Sequence, residues 1–175
     1  YMPIIPVSQA FLTLDEDRLA TIGIQDPELI QFQNGPAMVQ ALLAGQLDIA
    51  YLGIGPAMVA RAKGADIKVV ASNIVEQISL VALGELAPYF ASGDPATAFS
   101  RFATDKGRKP VIATFPTGSV PDTVLQYWLR KQLQIDPDQV EVIYQGAAQV
   151  QQSLLTGAVD GAAILEPIVS ISLDR

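Results

Sequence analysis

The chain has 175 residues, half of them hydrophobic, and 11 Lys and Arg against 18 Asp and Glu give a formal net charge of −7. That length and apolar share suit one large domain or two small lobes with a proper core, while the acidic balance argues against a nucleic-acid surface, which needs clustered Lys and Arg. The absence of Cys and His excludes disulfides, thiolate nucleophiles, Cys/His zinc sites and Ser-His-Asp or Cys-His machinery.

In chain order, the pattern predicts a helix over residues 8–21 and a strand at Leu29–Phe32. A helix over 36–44, a strand at Asp48–Leu52, a helix over 56–63 and a strand at Ile67–Ser72 follow. Short apolar runs bounded by Gly, Asn and Asp read as strands buried on both faces, and longer periodic stretches read as helices. Ile78–Leu83 is another apolar run, and residues 84–110 are rich in Gly, Pro, Ala and Ser around a helix over 95–105. The crossing between lobes is placed at Glu76–Gly84. Lobe 1 is then 1–76, the hinge 77–84 and lobe 2 85–175. Lobe 2 reads as strand Val111–Phe115, helix 119–133, strand Val140–Tyr144, helix 147–156, strand Asp160–Leu165 and a last helix from Glu166. Alternation of this kind implies βαβ units, an α/β class and a largely parallel sheet in each lobe. Tyr127 and Trp128 fall inside the long helix and are assigned to core packing. The basic group Lys106, Arg108 and Lys109 sits in a Gly/Pro-bounded loop and is assigned to solvation. No stretch approaches the roughly 18–20 uninterrupted apolar residues of a membrane span.

One pattern is written twice. Residues 42–50 read Leu-Leu-Ala-Gly-Gln-Leu-Asp-Ile-Ala and residues 154–162 read Leu-Leu-Thr-Gly-Ala-Val-Asp-Gly-Ala. Each copy is the close of an amphipathic helix, a glycine that stops it, and an acidic residue leading into a buried strand. Each follows a short polar stretch with a glycine and ends near a proline, Pro56 or Pro167. Two such units suggest two similar lobes facing across a cleft. Asp48 and Asp160, at strand starts, are read as structural.

Ligands of open α/β sheets sit beyond the carboxyl ends of strands, and three such junctions stand out. At Leu52-Gly53-Ile54-Gly55-Pro56, two glycines let backbone approach a ligand and a proline opens the next helix; a plain tight turn explains it equally. It lacks the dinucleotide fingerprint. At Thr114-Phe115-Pro116-Thr117-Gly118-Ser119, backbone N–H groups and a hydroxyl converge on the positive end of a helix dipole, an anion site without a charged side chain; an ordinary Ser N-cap is the alternative. At Ile164-Leu165-Glu166-Pro167, Glu166 either satisfies the helix dipole or meets a ligand ammonium or other donor.

Taken together, these segments resemble the substrate-binding proteins of ABC importers in the nitrate/sulfonate/taurine class, which is related to the thiamine-precursor binding family. The matching stretches are Tyr1–Ile4, Gln33–Pro36, Leu42–Pro56, Lys63–Ala65, Val69–Ser72, Thr117–Ser119 and Gly157–Pro167. The resemblance implies a two-lobe periplasmic-binding-protein fold of type II, closing on a small solute and delivering it to a membrane permease. It implies ligand contacts from Ser8 and Gln9, from Gly53 and Gly55, from Asn73, from Thr117, Gly118 and Ser119, and from Glu166 as a further candidate. Some nitrate-type members use a histidine for the anion; its absence here favours sulfonates, taurine or other small anionic organic solutes. The family chain is longer, crossing back after the second lobe to finish the first. Residues 1–76 are therefore expected to form a thinner, partly uncovered lobe.

The reading that follows is a periplasmic or membrane-anchored extracellular binding protein. It is expected to act as a monomer with a small anionic solute and an ABC permease as partners, without nucleic acid, cofactor, metal or catalysis. Two rivals share the architecture. A pyrimidine-forming enzyme of thiamine synthesis, by that resemblance, depends on His and Cys chemistry. The effector domain of a transcription regulator would require a helix-turn-helix segment upstream of Tyr1.

Overall fold

The computed structural model describes every residue except Glu16, Asp17, Glu76, Ser92 and Arg175. The chain divides into two units, Tyr1–Gln77 and Ile78–Arg175.

In the first unit, proline and apolar residues form a 3₁₀ turn at Ile5–Val7 that runs directly into helix α1, Ser8–Asp15. The expected continuation to residue 21 crosses Glu16 and Asp17, which lie outside the described residues; beyond them Ala20–Ile22 is a 3₁₀ turn. Helix α2, Gly35–Leu43, starts where the Asn34 side chain accepts a bond of 2.8 Å from the Ala37 N–H. Helix α3, Ile54–Ala62, starts two residues earlier than expected, and the small residues Pro56, Ala57 and Ala60 form its buried face. With Met2, Ile4, Val7, Met38 and Val39 they make a modest core.

The expected strands Leu29–Phe32, Asp48–Leu52 and Ile67–Ser72 form no ladder, and the first unit holds no strand among the described residues. This corrects the expectation of a parallel sheet in each lobe. The physical reason is pairing. A strand persists only where a neighbour takes its N–H and C=O groups, and apolar runs mark it only when both faces are covered. Here Leu29, Ile49, Val69 and Val70 are exposed, Val70 at 89%. Tyr1 makes the exception, its amino terminus donating to Ile30 O and its carbonyl accepting from Phe32 N, both at 2.8 Å.

The second unit is built on a four-stranded sheet of β1 (Ser79–Ala82), β2 (Val111–Thr114), β3 (Glu141–Tyr144) and β4 (Gly161–Ile164) in the order β1-β4-β2-β3. Strands β2, β3 and β4 are parallel, with Thr114 opposite Tyr144 and Ala113 opposite Ala162. The Ile78–Leu83 run supplies β1, an edge strand antiparallel to β4 with Ser79 opposite Ile164, so the sheet is mixed. Gly161 permits that pairing, because a Cβ there would stand 2.4 Å from the Val81 carbonyl oxygen.

Around the sheet lie α4 (Ala87–Ala91), α5 (Pro95–Lys106), α6 (Val120–Tyr127), α7 (Ala147–Leu155) and α8 (Ile168–Leu173). The long helix expected over 119–133 is two pieces, since α6 passes at Trp128–Gln132 into a π-helical turn. The core gathers Leu86, Phe99, Phe102, Ile112, Leu125 and Leu129. Trp128 packs on it, stacked on Phe90 and edge-on to Phe99 at 5.9 Å. Tyr127 does not, being 58% exposed; one helical step of about 100° carries it from the packed face to the outer one.

The two copies of the repeat end their helices alike. Gly45 and Gly157 have φ of 71° and 69°. The N–H of Gln46 donates to Ala41 O at 3.0 Å, and that of Ala158 donates to Ser153 O at 2.9 Å. The N–H groups of Gly45 and Gly157 reach Leu42 O and Leu154 O, completing a Schellman motif at each helix end. The copies diverge at the acidic residue, where Asp48 is exposed and Asp160 is buried.

Candidate functional site

Because β2, β3 and β4 are parallel, their carboxyl ends and the starts of α6, α7 and α8 lie along one edge of the second unit's sheet. Thr114 ends β2 buried, its hydroxyl donating to Ala163 O. Buried Phe115 follows, and a turn closed by the Ser119 N–H on Pro116 O at 2.9 Å then leads into α6. Gly118 takes φ of 83° in that turn, a conformation that disfavours any Cβ. Thr117 is exposed, Gly118 half-buried and Ser119 buried.

The head of α6 holds a residue that the sequence reading passed over. Ser119 Oγ accepts from the Asp122 N–H at 3.4 Å, and Asp122 Oδ2 accepts from the Gly118 N–H at 3.0 Å. Ser119 and Asp122 thus stand in capping-box spacing, which is the sequence signal for this role. Pro121 removes a further N–H from the first turn. The site read as free of charged side chains therefore contains a carboxylate. The magnitudes decide what it tolerates. A second negative charge 4 Å away costs about 1 kcal/mol in water-like surroundings and about 4 kcal/mol at an effective dielectric of 20. The helix dipole returns about 0.3–1 kcal/mol. A bare anion is thus disfavoured at this helix start.

Glu166 precedes α8 and is half-buried. Its carboxylate accepts from Ser170 N at 3.1 Å and from Ser170 Oγ at 3.0 Å, so both oxygens cap that helix. The start of α7 is different. Its N-cap is Gly146, with no side-chain bond, and Gln145 faces Ser153 instead, accepting from its hydroxyl at 2.9 Å. The first N–H groups of a helix lack intrahelical acceptors. Gly146 therefore leaves a donor-rich helix start that its sequence, without a capping side chain, could have signalled.

In the first unit, Gln9 and Asn73 meet. Gln9 Nε2 donates to Asn73 O at 2.9 Å, and Asn73 Nδ2 donates to Pro6 O, tying residue 73 to the 3₁₀ turn before α1. Ser8 is half-buried, and its N–H is used on Ile5 O. Gly53 is the N-cap of α3 without a side-chain bond, and Gly55 lies in the helix's first turn. Among the three junctions singled out, this one has no capping side chain among the described residues.

At the opposite end of the second unit's sheet, the loop assigned to solvation is ion-paired instead. Arg108 grips Asp160 with both terminal nitrogens at 2.7 and 2.8 Å and lies 4.8 Å over the Phe102 ring. Lys106 pairs with Glu85 at 2.6 Å. Burial pushes the Asp160 carboxyl up, but the bonds from Arg108 and from the Val111 N–H outweigh it and hold the group below its ordinary range. Asp160 thus joins α5, β2 and β4 as a structural residue. Among the described residues no group of acidic side chains is arranged to hold a metal ion, and no helix is long and apolar enough to cross a membrane.

No curated protein matches this chain by sequence. Among solved structures, it is similar to the zinc-bound ligand-binding component of an ABC-type import system from Staphylococcus aureus. The identity is 25% with a TM-score of 0.70, covering 99% of this chain and 55% of that one. It is also similar to the alkanesulfonate-binding protein SsuA from Xanthomonas axonopodis pv. citri bound to MOPS, at 23% identity and a TM-score of 0.66 over 99% of this chain and 56% of that one. The periplasmic nitrate-binding protein NrtA from Synechocystis PCC 6803 is 17% identical, with a TM-score of 0.71 over 95% of this chain and 45% of that one. The chain spans about half the length of the structures it matches. Its α/β fold is that of the periplasmic binding proteins, with a mixed sheet flanked by helices. Residues 1–173 match the model of the NMT1-like family, and the chain belongs to that family.

Proposed function

We propose that this protein is the solute-binding component of an ABC importer. In this reading it takes up a small anionic organic solute of the sulfonate or taurine kind outside the cytoplasm and delivers it to a membrane permease. The observation that carries the reading is the family match across residues 1–173. The likeness to import-system binding proteins supports it, one of them an alkanesulfonate-binding protein and another a nitrate-binding protein. In this reading the candidate solute-binding residues are Ser8, Gln9, Gly53, Gly55 and Asn73 in the first unit and, taken separately, Thr117, Gly118 and Ser119 in the second, while Glu166 is left to cap α8. The uncapped start of α3 supports a place for the anionic group, because its N–H dipoles need no counter-charge. The lack of Cys and His supports binding without turnover, and the charge of −7 supports a role away from nucleic acid.

A thermal and chemical denaturation screen of the full chain tests this. The panel holds alkanesulfonates, taurine, nitrate, aromatic carboxylates and pyrimidines. A cognate solute at 100 times its dissociation constant is expected to add about 2.7 kcal/mol of stability. Absence of stabilisation by every sulfonate, with stabilisation by a pyrimidine, would move the protein to the thiamine-precursor side of the family's range.

A further inference from the structure

We propose that Asp122 makes the head of α6 a subsite for a hydrogen-bond donor of the solute, an ammonium or other N–H group, rather than for its anionic end. The inference rests on the solute-binding reading above. Asp122 is only 5% exposed. One carboxylate oxygen, Oδ2, is fixed over the helix head by the Gly118 N–H at 3.0 Å. The other, Oδ1, is shut off from solvent and receives no hydrogen bond among the described residues. The Gly118 bond occupies one oxygen, and buried polar atoms are ordinarily all satisfied. An unpartnered carboxylate oxygen at the carboxyl edge of a parallel sheet, where this fold class places its ligands, is therefore an acceptor awaiting a donor.

Thr117 in the same turn is exposed and Gly118 half-buried. Glu166, the carboxylate that the sequence offered for an ammonium group, has both oxygens occupied by Ser170. Charge sorts the ends of a zwitterionic solute accordingly. The amine goes to Asp122, and the acid group is kept away from the head of α6.

Calorimetry on the full chain with taurine and with 1-propanesulfonate, its amine-free analogue of similar size, decides the matter. Wild type is expected to bind taurine at least about tenfold more tightly, a difference of about 1.4 kcal/mol. Asp122→Asn keeps an acceptor for the Gly118 N–H and removes the charge. It is expected to bring the two affinities within about threefold by weakening taurine and sparing or improving propanesulfonate. A purely structural cap would weaken both ligands equally, so an unchanged ratio in Asp122→Asn overturns the proposal. Equal binding of the two ligands by wild type overturns it even if the variant fails to fold. If wild type binds neither, the sulfonate and taurine reading falls and the subsite with it.

Discussion

Asp160 shows how much one residue can be asked to do. It accepts two bonds from Arg108 and one from the Val111 N–H, while its own N–H donates to Val111 O and its carbonyl accepts from Leu83. Bonds to a charged partner contribute about 1.5–3 kcal/mol. Arg108 is half exposed, and solvent screening reduces the ion-pair part of that. Asp160→Asn is therefore expected to cost about 1–2 kcal/mol at pH 7, measured by urea denaturation. Because the folded carboxyl titrates below its ordinary range, its contribution is fully present above the unfolded pKa of about 3.9. It is lost as pH falls through the lower folded value. The gap between wild type and Asp160→Asn should stay constant from pH 7 to 5 and close below pH 4. A gap that widens on acidification would contradict the pairing. Asp122 lies at the other end of the sheet and was hidden for a different reason. Its spacing from Ser119 announces a cap, whereas the oxygen left over after capping is a fact of packing alone.

At the scale of elements, the repeated Leu-Leu-x-Gly-x-x-Asp motif encodes one local structure in both units. Gly45 and Gly157 adopt the same left-handed φ and close the same pair of bonds, and a Cβ at either would meet nothing within 4 Å. The cost of Gly157→Ala is then purely conformational, about 1–2 kcal/mol, and Gly45→Ala should cost the same locally. Denaturation of the two variants checks this; a Gly157→Ala protein as stable as wild type would mean that the helix stop is not set by backbone conformation. Helix stops, caps and breaks were legible here because each depends on residues within one turn of one another. The strands were legible only in part. Val111–Thr114 and Gly161–Ile164 became strands because each found partners, whereas Ile67–Ser72, with as strong an apolar run, found none.

The two units differ as whole bodies. The second has a sheet, an aromatic core and buried strands; the first has, among the described residues, three α-helices around a modest aliphatic core and leaves Ile49, Val69, Val70 and Val75 exposed. Backbone amides without ladder partners open at little cost. Amide exchange is accordingly expected to be fastest across residues 67–75 and slowest in β2 and β4, as hydrogen-exchange mass spectrometry would show. Protection of 67–75 equal to that of β4 would place a partner on that segment.

The sequence by itself determined the class of the protein: an alternating α/β chain, acidic, without Cys or His, carrying one helix–glycine–aspartate motif twice and the stretches that mark its family. These are properties of composition and of neighbours along the chain, so no tertiary information is needed to read them. Tertiary structure alone decided which apolar runs became strands, because a strand's hydrogen bonds belong to its partners. It alone gave the Lys106–Arg108 loop its ion pairs, since Glu85 and Asp160 arrive there from distant positions. It also separated the helix starts that look alike in sequence: Gly53 and Gly146 left open, Glu166 spent on its own helix, and Ser119 capped by Asp122 with one buried oxygen to spare. Hydrogen-bond saturation is a property of three-dimensional surroundings, and it is saturation that distinguishes a helix cap from a binding group.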